Sequence, residues 1–306
     1  MIRQHVRKIV DSFFSFVTRI SPTLNTKLWY FRAFRKRLNL NNPKTFNEKI
    51  LWLKLKCYIK DPLVEKCVDK YRVREYVEEC GCKDILNGII HVYDSADEID
   101  WNKLPNKFVL KWNFGAGMNL ICSDKNKLNY KECEKQLNEW SKNKYWLLYS
   151  EMQYKNYKKK IVCEKFLESA EGESLADYKV YCFNGKAMYV MLCTERTNNE
   201  KSVHANYIFF DKNWKPIPYS KYTKEHINEL NIAPPKELDS LLYYAEKLSE
   251  PFPFVRADFY IVEGKIYFGE LTFTPAGGLD TDLLNGDVEM GKLIQLPHVK
   301  NKGEQK

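Results

Sequence analysis

Apolar residues recur every three or four positions through much of the first eighty residues, which is the spacing of one face of a helix. The pattern predicts a helix over 2–20 that stops at Ser21-Pro22, and a second helix around 45–55. A third helix is predicted over 63–81, where Gly81 suits a C-cap. We therefore expect the first part of the chain to be mainly helical.

Beyond residue 105 the pattern changes to short runs of β-branched and aromatic residues separated by turn signals. It predicts a strand, glycine-rich turn and strand over 106–123, a helix over 127–146, a strand over 161–167, a hairpin over 178–192 and a helix over 236–250. The dipeptide Asn184-Gly185 is a strong hairpin signal. Helices followed by hairpins indicate an α+β fold.

The last strong pattern, FVRADFYIVEGKIYFGELTF at 254–273, reads as a hairpin around Glu263-Gly264-Lys265. A three-residue connection would place Asp258 directly opposite Glu270 on one face. Opposed like charges repel at Cβ separations of roughly 4.5–5.5 Å. From the residues alone, the pair fits either the solvent-facing side of an amphipathic hairpin or a site for a cation. In both cases we expect the protein without metal to tolerate the loss of either charge.

The composition, 44% hydrophobic and 29% charged over 306 residues, is typical of a globular protein with a substantial core. Nine cysteines without a CxxC pair favour neither a zinc site nor a disulfide framework, so a reducing, cytoplasmic location is expected. The sequence shows no signal-peptide pattern, and the apolar stretch 9–20 is too short to span a bilayer. A net charge of +9 indicates attraction to polyanions without choosing among nucleic acid, anionic lipid and acidic polysaccharide.

One segment suggests phosphate chemistry. Lys111 ends a predicted strand and is followed by Asn113-Phe114-Gly115-Ala116-Gly117, whose backbone N–H groups could approach phosphate oxygens. The lysine precedes the glycines, unlike a Walker loop, and GAGMNL lacks the third glycine of a dinucleotide fingerprint. Taken alone, the segment fits an ordinary surface turn equally well.

Several motifs in order resemble the ATP-grasp superfamily over roughly 65–295: VDKYRVREYVEECG, FVLKWNFGAG, VCEKFLES, DYK, FVRADFY and GELTFTPAGG. Together with KTFNEK, they are similar to its teichuronopeptide-biosynthesis-like branch over nearly the whole chain. The resemblance implies an α+β, ATP-grasp fold in which the nucleotide is held between two α+β subdomains, with a helical N-terminal region. The implied divisions are a basic-aromatic helical region over 1–62, a linking region over 63–104 and an ATP-grasp domain over 105–300. Within that domain the phosphate-loop subdomain would be 105–165 and the metal-binding subdomain 166–300.

The resemblance also implies roles for individual residues. ATP would contact Lys111, Gly115, Gly117, Glu164, Lys165, Phe166, Leu167, Asp177 and Lys179. Mg²⁺ would contact Asp258, Glu270 and Thr272. Lys111 and Arg256 would be catalytic, because Arg256 could meet developing phosphoryl charge. Thr272 stands where many ATP-grasp enzymes have asparagine, and Phe114-Gly-Ala-Gly replaces a more polar loop.

The implied activity is ATP-dependent carboxylate–amine ligation through an acyl phosphate, with a uronic acid of a bacterial surface polysaccharide or its precursor as acceptor and an unidentified amine. Two alternatives stay open: an ATP-dependent phosphotransferase acting on a sugar, although kinase HRD and DFG sequences are missing, and a non-catalytic protein binding anionic polymer or membrane. Basic charge alone does not predict a specific nucleic-acid partner.

The basic-aromatic run WYFRAFRKRLNL at 29–40 leaves a second choice open. With the helix over 2–20, it fits either an ordinary core helix with a solvated basic flank or contact with the inner face of a membrane or with an anionic acceptor. The lysine-rich run at 155–160 similarly fits a solvated loop or a landing site for acidic polysaccharide.

Overall fold

The computed structural model describes residues 2–168, 175–199, 202–283 and 285–298. In this part the helices are α1 Ile2–Ile20, α2 Pro22–Phe34, α3 Phe46–Lys56, α4 Pro62–Cys67, α5 Val73–Glu79, α6 Tyr130–Ser141, α7 Lys221–His226, α8 Leu238–Ser249 and α9 Gly286–Leu293. The strands are β1 Ile89–Tyr93, β2 Phe108–Trp112, β3 Asn119–Cys122, β4 Ile161–Lys165, β5 Asp177–Phe183, β6 Lys186–Asn199, β7 Ser202–Asp211, β8 Phe254–Val262 and β9 Lys265–Thr272.

The strands form two antiparallel sheets, one in the order β1-β4-β2-β3 and one in the order β7-β6-β5-β8-β9. We call them the small and the large sheet. Asn184 and Gly185 connect β5 to β6 with φ angles of 49° and 75°, as a two-residue hairpin turn requires. The predicted α+β class and this hairpin are confirmed.

The early helices form largely where the apolar spacing predicts them. The Thr45 side chain accepts a hydrogen bond from the Glu48 N–H while the Glu48 carboxylate accepts one from the Thr45 N–H, which starts α3 with a capping box. The predicted stop at Ser21-Pro22 also starts a helix that the sequence reading missed. Ser21 caps α2 through the Leu24 N–H, and Pro22 occupies the first turn.

The single helix predicted over 63–81 is wrong, because the chain breaks between α4 and α5. At the break, the Asp69 carboxylate accepts hydrogen bonds from the N–H groups of Tyr71 and Arg72, an alternative to helical bonding. The Lys70 N–H donates to the carbonyl of Asn113 in the β2–β3 loop. The predicted end is confirmed, since Gly81 follows α5 with a φ of 74°.

The β8–β9 hairpin reaches the predicted pairing by an unpredicted route. Glu263 and Gly264 form a two-residue turn with φ angles of 49° and 75°, so Val262 pairs with Lys265 and the expected three-residue connection is wrong. A bulge between the Asp258 and Phe259 pairs then shifts the register by one residue. Asp258 therefore lies opposite Glu270, and that part of the prediction is confirmed.

Gly269 makes this bulge possible. It is the extra residue of β9 between Phe268 and Glu270, and a Cβ atom there would lie 2.9 Å from the Asp258 carbonyl oxygen. The buried positions of β9 change phase across the bulge, from Ile266 and Phe268 before it to Leu271 after it. The bulge thus keeps the apolar face buried while it sets the position of Glu270.

The main core joins the early helices to the large sheet. The rings of Phe46 in α3 and Phe254 in β8 meet edge-on with centroids 4.9 Å apart, and the Tyr58 hydroxyl donates to the Phe254 carbonyl at 2.9 Å. A second core lies on the small sheet, where Phe108 and Leu110 of β2 are fully buried. A cleft lies between the two sheets.

Replacing Gly269 with alanine should lower the free energy of unfolding by about 1–3 kcal/mol, because the added methyl group would collide with the Asp258 carbonyl. Chemical denaturation measures the change. Gly81→Ala measures the other possible cost of such a change, backbone strain without a collision, because its φ of 74° is unfavourable for alanine but no atom lies within 4 Å of the new methyl group. A Gly269→Ala protein as stable as the parent would contradict the close approach.

Candidate active site

A cleft of about 520 Å³ lies between the two sheets, a size within the range of small-molecule sites. Its lining combines cations and carboxylates from both sheets, from the α4–α5 break, from α5 and from the segment after β9. The cations are Lys70, Arg74, Lys111, Lys179 and Arg256, and the carboxylates are Glu164, Asp258, Glu270, Asp280 and Asp282. A cleft lined by both cations and carboxylates suits a polyanionic ligand that binds together with a metal cation.

Asp258 is held by two cations on the large sheet. The Arg256 guanidinium contacts both its carboxylate oxygens at 2.7 Å, and the Lys179 Nζ lies 2.7 Å from Oδ2. Lys179 reaches it because β5 pairs with β8 at this position. Burial raises the pKa of Asp258, which is 3% exposed, but the nearby Arg256 and Lys179 charges outweigh it and leave the pKa below its usual value.

This arrangement replaces the expectation that either carboxylate could be neutralised without loss of stability. That expectation considered only the repulsion between Asp258 and Glu270. In the structure Asp258 instead compensates the buried Lys179 and the largely buried Arg256, so removing its charge would take away the nearest counterion of both.

Glu270 has a different environment, with 44% of its side chain exposed. Its Oε1 accepts a hydrogen bond from the Thr272 hydroxyl at 3.1 Å, and that hydroxyl accepts one from Arg256 Nη2 at 3.2 Å. Arg256 itself lies 3.9 Å from Glu270. Thr272 therefore orients Glu270 and Arg256, and it lies beside the cleft rather than in its lining.

The carboxylates of the cleft suit Mg²⁺ better than they suit a metal ion that takes all its ligands from the protein. Among the residues that the structure describes, no group of three or more His, Cys, Asp or Glu side chains is placed to hold a metal. Mg²⁺ commonly takes one or two carboxylates and completes its shell with water and phosphate oxygens. Asp258 and Glu270 are the two carboxylates that would serve it here.

On the small sheet, Lys111 and Glu164 form an ion pair of 2.9 Å because β2 lies next to β4. Arg74 Nη1 lies 4.0 Å from the same carboxylate. Gly117 faces the cleft with a φ of 72°, and nothing lies within 4 Å of a Cβ placed there. The cleft thus has a charged side chain next to an open glycine backbone.

Lys70 was missed by the sequence analysis, as was Arg74. The Lys70 ammonium donates to the Gly115 carbonyl at 2.5 Å, within the glycine loop, while Gly115 itself does not line the cleft. Burial lowers the pKa of Lys70, and the negative charge of Glu270 partly opposes this shift. The available signal was the spacing of two cations four residues apart in VDKYRVREY.

The predicted adenine hinge lies beside the cleft lining. The Lys165 N–H donates to the Gly88 carbonyl, and the Lys165 carbonyl accepts from Asn87 Nδ2, so this backbone is already used by the fold. Phe166 and Leu167 follow the end of β4 and are half-buried. Their contact with a base stays a prediction, and the motif's last residue, Ser169, lies outside the described residues.

The structure thus brings together at the cleft seven of the predicted site residues: Lys111, Gly117, Glu164, Lys179, Arg256, Asp258 and Glu270. Asp177 is buried 3.5 Å from Lys179 and lies outside the lining, as do Gly115, Lys165, Phe166, Leu167 and Thr272. An apolar wall of Met191, Tyr207 and Phe209 also lines the cleft. Met191 lay within the predicted hairpin over 178–192, but β7, which carries Tyr207 and Phe209, was not predicted.

Comparison with solved structures finds several ligases. The chain is 14% identical to an L-amino acid ligase from Bacillus licheniformis, with a TM-score of 0.41, covering 79% of this chain and 52% of that one. For a D-alanine–D-alanine ligase from Bacillus anthracis the values are 17%, 0.40, 81% and 65%, and for the D-cycloserine synthetase DcsG they are 13%, 0.44, 77% and 72%. The chain therefore spans about half to two thirds of the first two ligases.

No curated protein matches the chain. A family model does match, over residues 48–295, and its description is TupA-like ATPgrasp. The matched range contains both sheets and the residues that line the cleft. The chain therefore belongs to the TupA-like ATP-grasp family, and the predicted ATP-grasp fold and branch are confirmed.

Proposed function

We propose that the protein is an ATP-dependent carboxylate–amine ligase that works through an acyl phosphate. The observation that carries this proposal is the cleft itself, where Lys111 beside an open glycine backbone faces the Asp258–Glu270 pair across the two sheets. Membership of an ATP-grasp family supports the use of ATP. The L-amino acid ligase and the D-alanine–D-alanine ligase act on amino acids, as their names state. Their similarity to this chain is too low to define its substrate.

In the proposed mechanism, Lys111 and the backbone at Gly117 bind the ATP phosphates. Asp258 and Glu270 would hold Mg²⁺, which would neutralise phosphate charge. Arg256, fixed by Asp258 and Thr272, stabilises negative charge on the transferred phosphoryl group.

The acceptor carboxylate takes the γ-phosphoryl group and ADP leaves. The amine then attacks the acyl carbon, loses a proton and displaces phosphate. Positioning and charge neutralisation carry this chemistry, so it needs no protein nucleophile.

We further propose a uronic acid of a surface polysaccharide, or its precursor, as the acceptor, with the reaction in the cytoplasm. The support is a net charge of +9 and two basic segments, 32–37 and 155–160. The structure qualifies the second segment, because Lys158 and Lys160 both pair with Asp94. Residues 105–165 and 166–300 would be the two subdomains that hold the nucleotide.

Incubation with ATP, Mg²⁺, a uronic acid oligomer and a panel of amino acids tests this function. We expect ADP and phosphate release that requires both acceptor and amine, together with a product whose mass equals the two substrates less one water. A stable phosphorylated sugar that forms without amine would contradict ligation and support a phosphotransferase.

Lys111→Ala should weaken ATP binding by about 10- to 100-fold, the usual scale for one charge-assisted hydrogen bond. Calorimetric titration with ATP and Mg²⁺ measures this change. Lys103→Ala is the matched control, because Lys103 is highly exposed and does not line the cleft. Equal ATP affinity of a folded Lys111→Ala protein and the control would remove Lys111 from the nucleotide site.

Asp258→Asn and Glu270→Gln should both nearly abolish ligation, because each removes a proposed Mg²⁺ ligand. Their stabilities without metal should differ. Asp258→Asn should cost about 3 kcal/mol, since Lys179 and Arg256 both lose their nearest counterion in a largely buried site. Glu270→Gln should change stability by less than about 1 kcal/mol, since Glu270 is partly solvated.

Thermal or urea unfolding in a metal chelator, beside the ligation assay with Mg²⁺, separates the two effects. Full activity with ordinary Mg²⁺ dependence in Glu270→Gln would refute the metal assignment. Unchanged stability of Asp258→Asn would refute its role as a buried counterion.

A further inference from the structure

Helix α1 presents an apolar stripe to solvent. Its exposed members recur every three or four residues and are each more than half exposed: Val6, Ile9, Phe13, Phe16 and Ile20. The other side of the helix is buried, where the ring of Phe14 stacks on Trp29 of α2 at 4.0 Å. The helix is therefore anchored to the protein on one side and leaves a second apolar side uncovered.

Helix α2 extends this feature with exposed Leu24, Leu28 and Phe31. Eight of the thirteen large apolar side chains exposed in the described part of the chain lie on α1 and α2. Scattered exposed apolar residues are normal, but a concentration of this kind marks an interaction surface. We call the eight residues the apolar patch.

The same helices, together with the three residues that follow α2, carry nearly all of the net charge. Residues 1–37 contain nine Lys and Arg against one acidic residue, Asp11, which gives +8 of the chain's net +9. The remaining 269 residues are close to neutral. Exposed members of the basic set include Arg7, Lys8, Arg19, Lys27, Arg32, Arg35, Lys36 and Arg37.

We propose that α1 and α2 dock on an anionic lipid bilayer, with the apolar patch inserted at the interface and the basic residues against lipid headgroups. A water-soluble acidic polymer would be attracted by the charge but would leave the apolar patch uncovered. A second copy of this chain could cover the patch but would bring two strongly positive surfaces together. An anionic bilayer satisfies both features at once.

The structure also limits how the helices can engage the bilayer. No helix in the described part of the chain is long and apolar enough to cross it. Helix α1 would instead lie in the plane of the interface, with its buried side held to the protein. The Thr18 and Ser150 hydroxyls lie 2.8 Å apart, and Trp29 Nε1 donates to the Leu148 carbonyl at 2.8 Å.

The segment around Leu148 and Ser150, which contacts α1 and α2, also joins this docking surface to the cleft. The Lys54 ammonium donates to the carbonyls of Tyr149 and Gly277 at 2.8 and 3.2 Å, and neighbouring Ala276 lines the cleft. A docked protein would therefore hold its cleft at a fixed orientation to the lipid surface. Lipid docking does not depend on the proposed ligase chemistry, although it uses the basic segment 32–37 that also supports the proposed acceptor, and it is tested without ATP or acceptor.

Co-sedimentation of the full chain with vesicles tests the proposal. Vesicles of phosphatidylcholine with about 30% phosphatidylglycerol should bind the protein at least about tenfold more strongly than pure phosphatidylcholine vesicles. Binding should weaken as salt is raised, because the headgroup attraction is screened. Equal binding to both vesicle types, or none to the anionic ones, would overturn the proposal.

Substitutions in the apolar patch and in the basic set separate insertion of the patch from simple charge attraction. Phe16→Ser should reduce anionic-vesicle partitioning about tenfold, while Tyr243→Ser, a similarly exposed aromatic residue on α8, should leave it unchanged. The pair Lys36→Gln with Arg37→Gln should reduce it about 30-fold, at about 1 kcal/mol per basic residue. Unfolding midpoints equal to the parent's would show that these exposed substitutions leave the fold intact.

Two results would reject the bilayer. Equal partitioning of Phe16→Ser and Tyr243→Ser would show that the apolar patch does not insert. A concentration-dependent dimer seen by light scattering and weakened by Phe16→Ser, without vesicle binding, would identify a second copy as the occupant.

Discussion

A buried carboxylate neutralised by two cations is the constraint on which this cleft depends. Asp258 lies among the strands of the large sheet, where an unpaired charge would be very unfavourable, and Arg256 and Lys179 both reach it at 2.7 Å. The pairing requires β5 and β8 to keep their register. That register also fixes the direction of Arg256, and through Thr272 the position of Glu270. The groups proposed for catalysis are therefore positioned by the interactions that hold the sheet together.

The opposite wall has a comparable support at the base of its loop. The Asn113 side chain is buried and bonds to the Asp69 carboxylate, to the Lys158 carbonyl and to the Lys160 N–H. Two residues later in the loop, the Gly115 carbonyl accepts a hydrogen bond from the Lys70 ammonium. Beyond these bonds, Gly117 is open to the cleft. The loop thus combines a fixed base with a backbone tip free to approach a ligand, an arrangement that favours accurate placement of a charged group.

Much of the fold could be predicted from the sequence because its signals are local. Alternation and Asn184-Gly185 predicted a hairpin, and helical spacing predicted α1, α3 and α8. The failures involve long-range contacts. The break before α5 depends on Asn113, more than forty residues away, and Lys70 enters the cleft only because of that break. The motifs located the charged cleft residues of both sheets, whereas the apolar wall required β7, whose aromatic run at 207–210 was not assigned to a strand.

The turn and the bulge of the β8–β9 hairpin also bear on how relatives should be aligned. Glu263-Gly264 is one residue shorter than the connection first expected, and Gly269 is one residue of excess in the opposite strand, so the two deviations cancel at Asp258. A relative with a three-residue turn and a regular β9 would present the same carboxylates to each other. An alignment that places one gap at the turn and a compensating insertion near Gly269 would therefore be structurally correct, although two gaps in so short a segment would usually be penalised. Conversely, an ungapped alignment to such a relative would displace the part of β9 between the turn and Gly269 by one residue. Its buried and exposed faces would then be exchanged.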